Sequence, residues 1–373
     1  MKNNKKPKVS FPHMGTIYVV WGSIINSLGG TAIIPPYSSK KTLSLGTKYS
    51  PEAICLPYKL VLGNFIEAIE KGADLVIMLS SPGICRLGEY GRTVKSALEN
   101  LNLVAEYYDI DLYKGKFKEM YKCIIKMTGV RNPVRIIKAL ILGIKKVFVL
   151  DKLENIVSYY RAREINTGGA EKIHKKIIKK IFEAYTSRDL KLAQKEGIKE
   201  LRLIPLDVNR EILHVDLTGE IFMVLDPFAN QNIERELGRL GVQVRRSLTI
   251  SSWLKDAIIP KIFLKGETHL QRAVRLARPY LTRDIGGDAI ESISDIINAD
   301  SKGTDGIIHI SPFTCMPEIM SQNIFPTMRE ECKIPILPLI MDEQTGRAGY
   351  VTRLEAFVDL MKRRKRMSEG KND

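Results

Sequence analysis

Twice along this chain, short apolar runs alternate with stretches of helical periodicity, and this alternation narrows the fold more than any other feature. The run "ADLVIMLSS" is apolar without interruption, as a strand buried on both faces must be. Before it, "YKLVLGNFIEAIEKG" carries apolar residues at 60, 61, 65, 66 and 69 and closes at Gly72, which reads as a helix. "KVSFPHMGTIYVV" reads as a first strand running into a helix, "TAIIPP" as a strand, and "TVKSALENLNLVAEYY" as a further helix. The pattern returns from about residue 212. There "ILHVDLTGEIFMVLD" opens a strand with a glycine at its end, and "NQNIERELGRLG" is a helix closed by Gly241. "VQVRRSLTI" and "DGIIHISPF" are strands, "CMPEIMSQNIFPTMREE" is a helix and "IPILPLIMD" a last strand. Strand–helix alternation of this kind builds an open parallel sheet covered by helices.

Between the two blocks the periodicity is helical throughout. In "GGAEKIHKKIIKKIFEAYTSRDLKLAQKEGIKEL", Ile177, Ile178, Ile181, Phe182 and Tyr185 fall on one face and lysines cover the other. The expected architecture is therefore α/β, with two doubly wound Rossmann-like parallel-sheet domains and a helical region between them. The boundaries fall at residues 8–105, 106–210 and 211–365. With 373 residues the chain is long enough for several cores.

Lysine and arginine exceed aspartate and glutamate by 58 − 42 = 16. Such a balance suits an anionic substrate, an acidic partner or nucleic acid. No zinc finger or RNA-recognition motif accompanies it, so nucleic acid is not the expected partner. The basic start followed by "GTIYVVWGSIINSLGG" mimics a secretory signal, but no A-x-A-like cleavage site follows and the stretch reads as a strand and helix. No stretch reaches the ~18 apolar residues of a membrane span. Five cysteines in a chain of this length do not suggest a secreted disulfide scaffold, and the expected location is cytoplasmic.

Three of those cysteines share a local grammar. Cys55, Cys85 and Cys315 each follow a Ser-Pro with two or three residues between, and Cys85 and Cys315 come just after predicted strands. Cys55 and Cys315 are followed by X-Pro and a helix, and proline presets a first helical turn. Ligands of open α/β sheets bind beyond the carboxyl ends of the strands. A helix start lowers a thiol's pKa and favours negative charge nearby. Three thiolates at such ends suit an iron–sulfur cube with one iron left open. The plainer reading of any one cysteine is packing. It is adopted for Cys123, on an apolar helix face, and for Cys332, at the far end of the helix that follows Cys315. Glu318 lies in the first turn of that helix and is either an acid–base group or a complement to the helix terminus. His13 could reach the same crevice or cap a turn. His309, inside a strand, reads as a core histidine, and Glu220 as a residue that orients a loop. The glycine pair in "DIGGDAIESI" reads as a turn.

The segments "ICLPYKLVLGNFIEAIEKGADLVIM", "LTGEIFMVLDPFANQNIERELGRLGVQV" and "DGIIHISPFTCMPEIMSQNIFPTMREECKIPILPLIMDEQTGRAGYVTRLEAF" carry a family resemblance. The chain resembles the 2-hydroxyacyl-CoA dehydratase and benzoyl-CoA reductase superfamily, in particular the branch associated with CoA-substrate-specific enzyme activases. The resemblance covers about two-thirds of the chain and leaves out the lysine-rich middle. It implies paired α/β domains that hold a 4Fe-4S cluster through three cysteines. Cys55 matches the cysteine of the first motif, Cys315 that of "PFTCMPE", and Cys85 the middle strand-end cysteine, although its flanking residues differ more. It also implies an ATP-dependent activase of the actin and Hsp70 type as electron donor. This chain has no P-loop, so it would be the acceptor. The implied reaction is reduction or dehydration of a small substrate, with an acyl-CoA as one class, in a homodimer or heterodimer. A non-catalytic electron-transfer or scaffold subunit, and a metal-free regulatory protein, are the alternatives.

Overall fold

A computed structural model of the chain describes residues 6–80, 85, 88, 90–111, 117–257, 266–283 and 285–369. The outermost residues of the two ends lie outside that set. The first block runs β1 (Lys8–Ser10), α1 (Ile17–Ser27), β2 (Thr31–Ala32), α2 (Lys40–Lys48), α3 (Leu56–Glu70), β3 (Leu75–Ser80), α4 (Tyr90–Asn100) and β4 (Glu106–Asp111). Its four strands are all parallel, in the order β2-β1-β3-β4. One reading is corrected here. The helix expected over "TVKSALENLNLVAEYY" stops at Asn100, Asn102 takes a φ of +52°, and Glu106 begins a strand. The sheet thus runs to Asp111.

Four helices follow: α5 (Phe117–Thr128), α6 (Pro133–Arg163), α7 (Gly169–Glu183) and α8 (Ser187–Leu201). The Asn132 side chain caps α6, accepting from the amides of Val134 and Arg135, and Pro133 occupies the first turn, where it forfeits no hydrogen bond. At 31 residues α6 is long enough to serve both halves of the molecule. Gly143 lies against Ile24 of α1, where a Cβ would come within 2.7 Å of its side chain. Five residues before its C-terminus, Ser158 donates to the Val244 carbonyl at 2.6 Å and accepts from the Val244 amide at 2.9 Å.

The apolar face of α7 buries Ile177, Ile178 and Ile181, but Tyr185 lies past its end and is exposed. Thr186 starts α8 with a capping box, which breaks the helical run there. The lysines of α7 are divided. Lys176 pairs with Glu200 and Lys180 with Glu196, both on α8, while Lys175 and Lys179 face solvent.

The second block runs β5 (Leu213–Gly219), α9 (Ile221–Leu225), α10 (Ile233–Arg239), β6 (Val242–Arg246), α11 (Ile250–Ala257), α12 (His269–Ala277), α13 (Ala289–Ser301), β7 (Gly306–Pro312), α14 (Met316–Glu331), β8 (Ile336–Met341) and α15 (Arg347–Glu369). Its sheet is also all parallel, in the order β6-β5-β7-β8. Val244 belongs to its edge strand β6, so α6 closes an edge that would otherwise offer unpaired amides. Each sheet thus places its first strand inside, its second on one flank and its third and fourth on the other. Two Rossmann-like α/β units result, as the alternation predicted. A single apolar core runs through both: Leu60, Phe65 and Val76 of the first join Leu217, Ile308 and Leu339 of the second. Among the described residues no helix is long and apolar enough to cross a membrane.

Candidate functional site

In a parallel sheet of this order the chain winds outward in opposite directions from the first strand. A crevice opens beyond the carboxyl ends of that strand and its third-strand neighbour. In the first sheet this crevice lies between the segments after β1 and β3, which carry His13 and Cys85. In the second it lies between those after β5 and β7, which carry Glu220 and Cys315.

The two carboxyl edges meet. Gly15, after β1, has a φ of +59°, and a Cβ there would stand 2.4 Å from the Leu225 carbonyl oxygen. The Ser38 hydroxyl donates to Asp226 at 3.2 Å, and Lys59 of α3 pairs with Glu343, after β8, at 2.6 Å.

Cys55 and Cys315 occupy equivalent places. Each is the residue before a helix, α3 and α14, each has extended backbone, and each helix carries proline in its first turn. Both are buried, at 8% and 7% exposure. Thr314, just before Cys315, holds a φ of +66°, where a β-branched side chain is strained, and its buried hydroxyl has no partner among the described residues.

Cys85 is half-buried and lies close to the start of α14. A Cβ on Gly287 would touch Pro317 at 2.7 Å and the Cβ of Cys85 at 3.8 Å. Gly286 and Gly287, both at positive φ, make the turn expected there.

Tyr90, the first residue of α4, ties the group together. Its hydroxyl is 2.6 Å from the Cys55 sulfur. Burial pushes the phenol well above its ordinary pKa, and Cys55, Glu220 and Cys85 push the same way. The Cys315 thiol is pushed up by burial, then by Glu318, Glu220 and Cys85. Cys85 and Glu220 thus stand within electrostatic reach of both Tyr90 and Cys315. Cys123 is fully buried in the core beneath α5, and Cys332 ends α14, away from this group.

The expectation that a helix start favours thiolate does not hold for Cys315. Its backbone bond from the Glu318 amide does favour the charged sulfur, but burial and two carboxyl groups outweigh it. Among the described residues no three His, Cys, Asp or Glu side chains close on a single metal ion. A cube asks for something different, because each thiolate binds its own iron. The donor set fits that chemistry: three sulfurs, two of them at helix starts whose first amides no cap side chain occupies.

Two buried acids, Glu318 and Glu220, act on Cys315, and the half-buried Asp288 and Glu291 lie beside them. Glu318 is fully buried; its Oε2 accepts from Ser292 at 2.9 Å and Ser321 at 3.0 Å and also meets His309 Nε2. Its Oε1 and the His309 Nδ1 have no hydrogen-bond partner among the described residues. The core histidine and the first-turn glutamate, read separately in the sequence, are one unit.

Glu220 caps α9, accepting from the Met223 amide at 2.9 Å. Gly219 makes this possible: at φ +126° a Cβ would sit 1.9 Å from the Ile310 oxygen, the atom to which the Glu220 amide donates. Burial, then Asp288 and Glu318, push Glu220 up to about 8. Burial, then Glu318, push Asp288 up to about 7. Glu291 is raised by burial, then by Asp288. Of these groups, Tyr90, Asp288 and Glu291 carried no signal in the sequence.

His13 lies between the rings of Tyr18 and Tyr37, with centroids at 4.5 and 4.4 Å, and burial lowers it to about 4. It is therefore a neutral, packed histidine near neutral pH. Its amide donates to Asn64 at 3.0 Å.

A family model described as "CoA enzyme activase uncharacterised domain (DUF2229)" matches residues 12–247. The match takes in Cys55, Cys85 and Glu220 and stops short of Cys315. No curated protein matches the chain significantly.

Proposed function

Because the chain belongs to the CoA enzyme activase domain family, we propose that it is an iron–sulfur protein that works with an activase. Cys55, Cys85 and Cys315 would hold an oxygen-sensitive 4Fe-4S cluster at the meeting edges of the two sheets. Low-potential electrons would come from an ATP-dependent activase of the actin and Hsp70 type, and a small substrate, with acyl-CoA as one class, would be reduced or dehydrated. Placement in the 2-hydroxyacyl-CoA dehydratase and benzoyl-CoA reductase superfamily belongs to the same proposal. The observation that carries it is the placement of Cys85 beside Gly287, which lies against Pro317 two residues after Cys315, with the Tyr90 hydroxyl 2.6 Å from the Cys55 sulfur.

Such a cluster supplies one-electron storage and an open iron position. The chain's own residues do the rest. The first amides of α3 and α14 lie beside Cys55 and Cys315 and stabilise negative charge on their sulfurs. Glu220, raised to about 8, holds a proton near neutral pH within electrostatic reach of both Cys315 and Tyr90. The continuous apolar core across the two units keeps bulk water from the interface beneath them.

The test is direct. Protein made and purified without oxygen is analysed for iron and acid-labile sulfide, then mixed with an activase, ATP and a reductant. About four irons and four sulfides per chain, with electron uptake only when ATP is present, are expected of a single cube. Metal-free protein after anaerobic preparation would refute the proposal. Electron uptake without turnover of any acyl-CoA would favour an electron-transfer subunit instead.

A further inference from the structure

Tyr90 is 97% shielded from solvent and sits where α4 begins, five residues after Cys85. Its ring packs edge-on to Tyr58 of α3, with centroids 5.1 Å apart, so its direction is fixed by the helix that Cys55 starts. The hydroxyl ends 2.6 Å from the Cys55 sulfur. With a protonated thiol either atom could donate. A thiolate or metal-bound sulfur can only accept, and the phenol must then be the donor. One side chain thus links the start of α3, which carries Cys55, to the start of α4, which follows Cys85.

We propose that Tyr90 is a positioning residue of the three-thiol site, whose hydroxyl donates to the Cys55 sulfur, holds Cys55 in register with Cys85, and makes the group those thiolates carry easier to reduce. The inference rests on the iron–sulfur reading above. Its physical basis is general. A hydrogen bond to a ligand sulfur stabilises the added electron, and such outer contacts tune metal sites without touching the metal. A packing role alone predicts no such effect, because phenylalanine fills nearly the same space.

The experiment compares wild-type protein with Tyr90→Phe and with 3-fluorotyrosine at position 90, all prepared without oxygen. Iron content, chelator resistance and the reduction equilibrium are measured in each. Tyr90→Phe should keep its iron but shift the equilibrium against reduction roughly tenfold, about 59 mV for a one-electron couple. Fluorotyrosine, a stronger donor, should shift it the other way. An unchanged equilibrium in an iron-loaded Tyr90→Phe protein overturns the assignment and leaves the iron–sulfur reading standing. If Tyr90→Phe fails to fold or load, the fluorotyrosine protein decides, and an unchanged equilibrium there overturns the assignment equally. Wild-type protein without iron overturns both.

Discussion

Lys59 and Glu343 stand 284 residues apart in the chain and meet at 2.6 Å, joining α3 of the first α/β unit to the segment after β8 of the second. The lysine is almost wholly buried, at 2%, and the glutamate is 26% exposed. The two are therefore unequal. Glu343→Ala leaves a buried ammonium with the Glu52 carbonyl, at 3.2 Å, but no counter-charge, whereas Lys59→Met leaves a carboxylate that can turn to water. Removing one partner of a buried pair costs about 3–5 kcal/mol. Glu343→Ala should approach the lower end of that range and Lys59→Met should cost roughly 1 kcal/mol, read from denaturant midpoints at constant slope. Equal losses would mean that the pair is not held as described.

The cysteines divide by position. Cys55→Ala and Cys315→Ala should abolish iron binding; Cys315→Ala should shift stability by about 1 kcal/mol or less, since it removes one small group at a helix start, and Cys55→Ala by about 1–3 kcal/mol, since it also takes the partner of the buried Tyr90 hydroxyl. Cys123→Ala should keep its iron and lose roughly 1 kcal/mol, because its thiol fills the core under α5. Cys332→Ala should change neither. Iron analysis and thermal unfolding of the four proteins check this, and equal iron loss from Cys123→Ala and Cys315→Ala would mean that the ligands are misassigned.

The acid layer makes stability depend on pH. Glu220 is raised by burial, then by Asp288 and Glu318, to about 8, against an ordinary 4.5. The folded chain therefore holds this proton more tightly than the unfolded one. Its contribution is fully present below about pH 4.5 and is lost as pH rises toward about 8, at up to about 1.4 kcal/mol per pH unit. Asp288, raised by burial and Glu318 to about 7, acts in the same sense. Glu291, raised by burial and then by Asp288, acts in the same sense. Glu220→Gln keeps an oxygen to cap Met223 but cannot ionise. Its unfolding free energy should fall less steeply than the wild type's between pH 5 and 8, by a few kcal/mol across that range. Parallel pH profiles would dismiss Glu220 as the source.

Thr314 carries its strain next to Cys315. Replacing it with glycine removes an unfavourable left-handed conformation worth about 1–3 kcal/mol, partly offset by the freedom glycine adds to the unfolded chain. Thr314→Gly should stabilise the fold by roughly 1 kcal/mol yet release iron faster to a chelator, because Cys315 is less firmly aimed. A variant that is less stable and keeps its iron as well as the wild type would show that Thr314 stores no strain for the site.

Much of this arrangement could be read from the residues. Continuous runs such as Leu75–Ser80 and Gly306–Pro312 announce themselves, because only a buried parallel strand needs them. Strand β4 does not, since Glu106, Tyr107 and Tyr108 lie half-exposed at an edge and mimic the end of a helix. The order of strands was hidden, because pairing across dozens of residues leaves no local mark. Cys55 and Cys315 were visible through the prolines two residues on. Tyr90 was not, since nothing in "GEYG" tells a tyrosine bonded to a distant cysteine from a merely packed one. His309 gave half a signal: a histidine inside an unbroken apolar strand must find a polar partner, but only the fold shows that the partner is Glu318.

The meeting of two sheets at their carboxyl edges also sets a schedule for synthesis. Cys85 leaves the ribosome 315 − 85 = 230 residues before Cys315. At about 5–20 residues per second, that interval is on the order of ten to fifty seconds. During it the first α/β unit carries two of the three cysteines without the helix start that holds the third. Leu225 and Asp226 reach Gly15 and Ser38 earlier, so the unit's carboxyl edge is covered in two steps. Helix α14 completes the set.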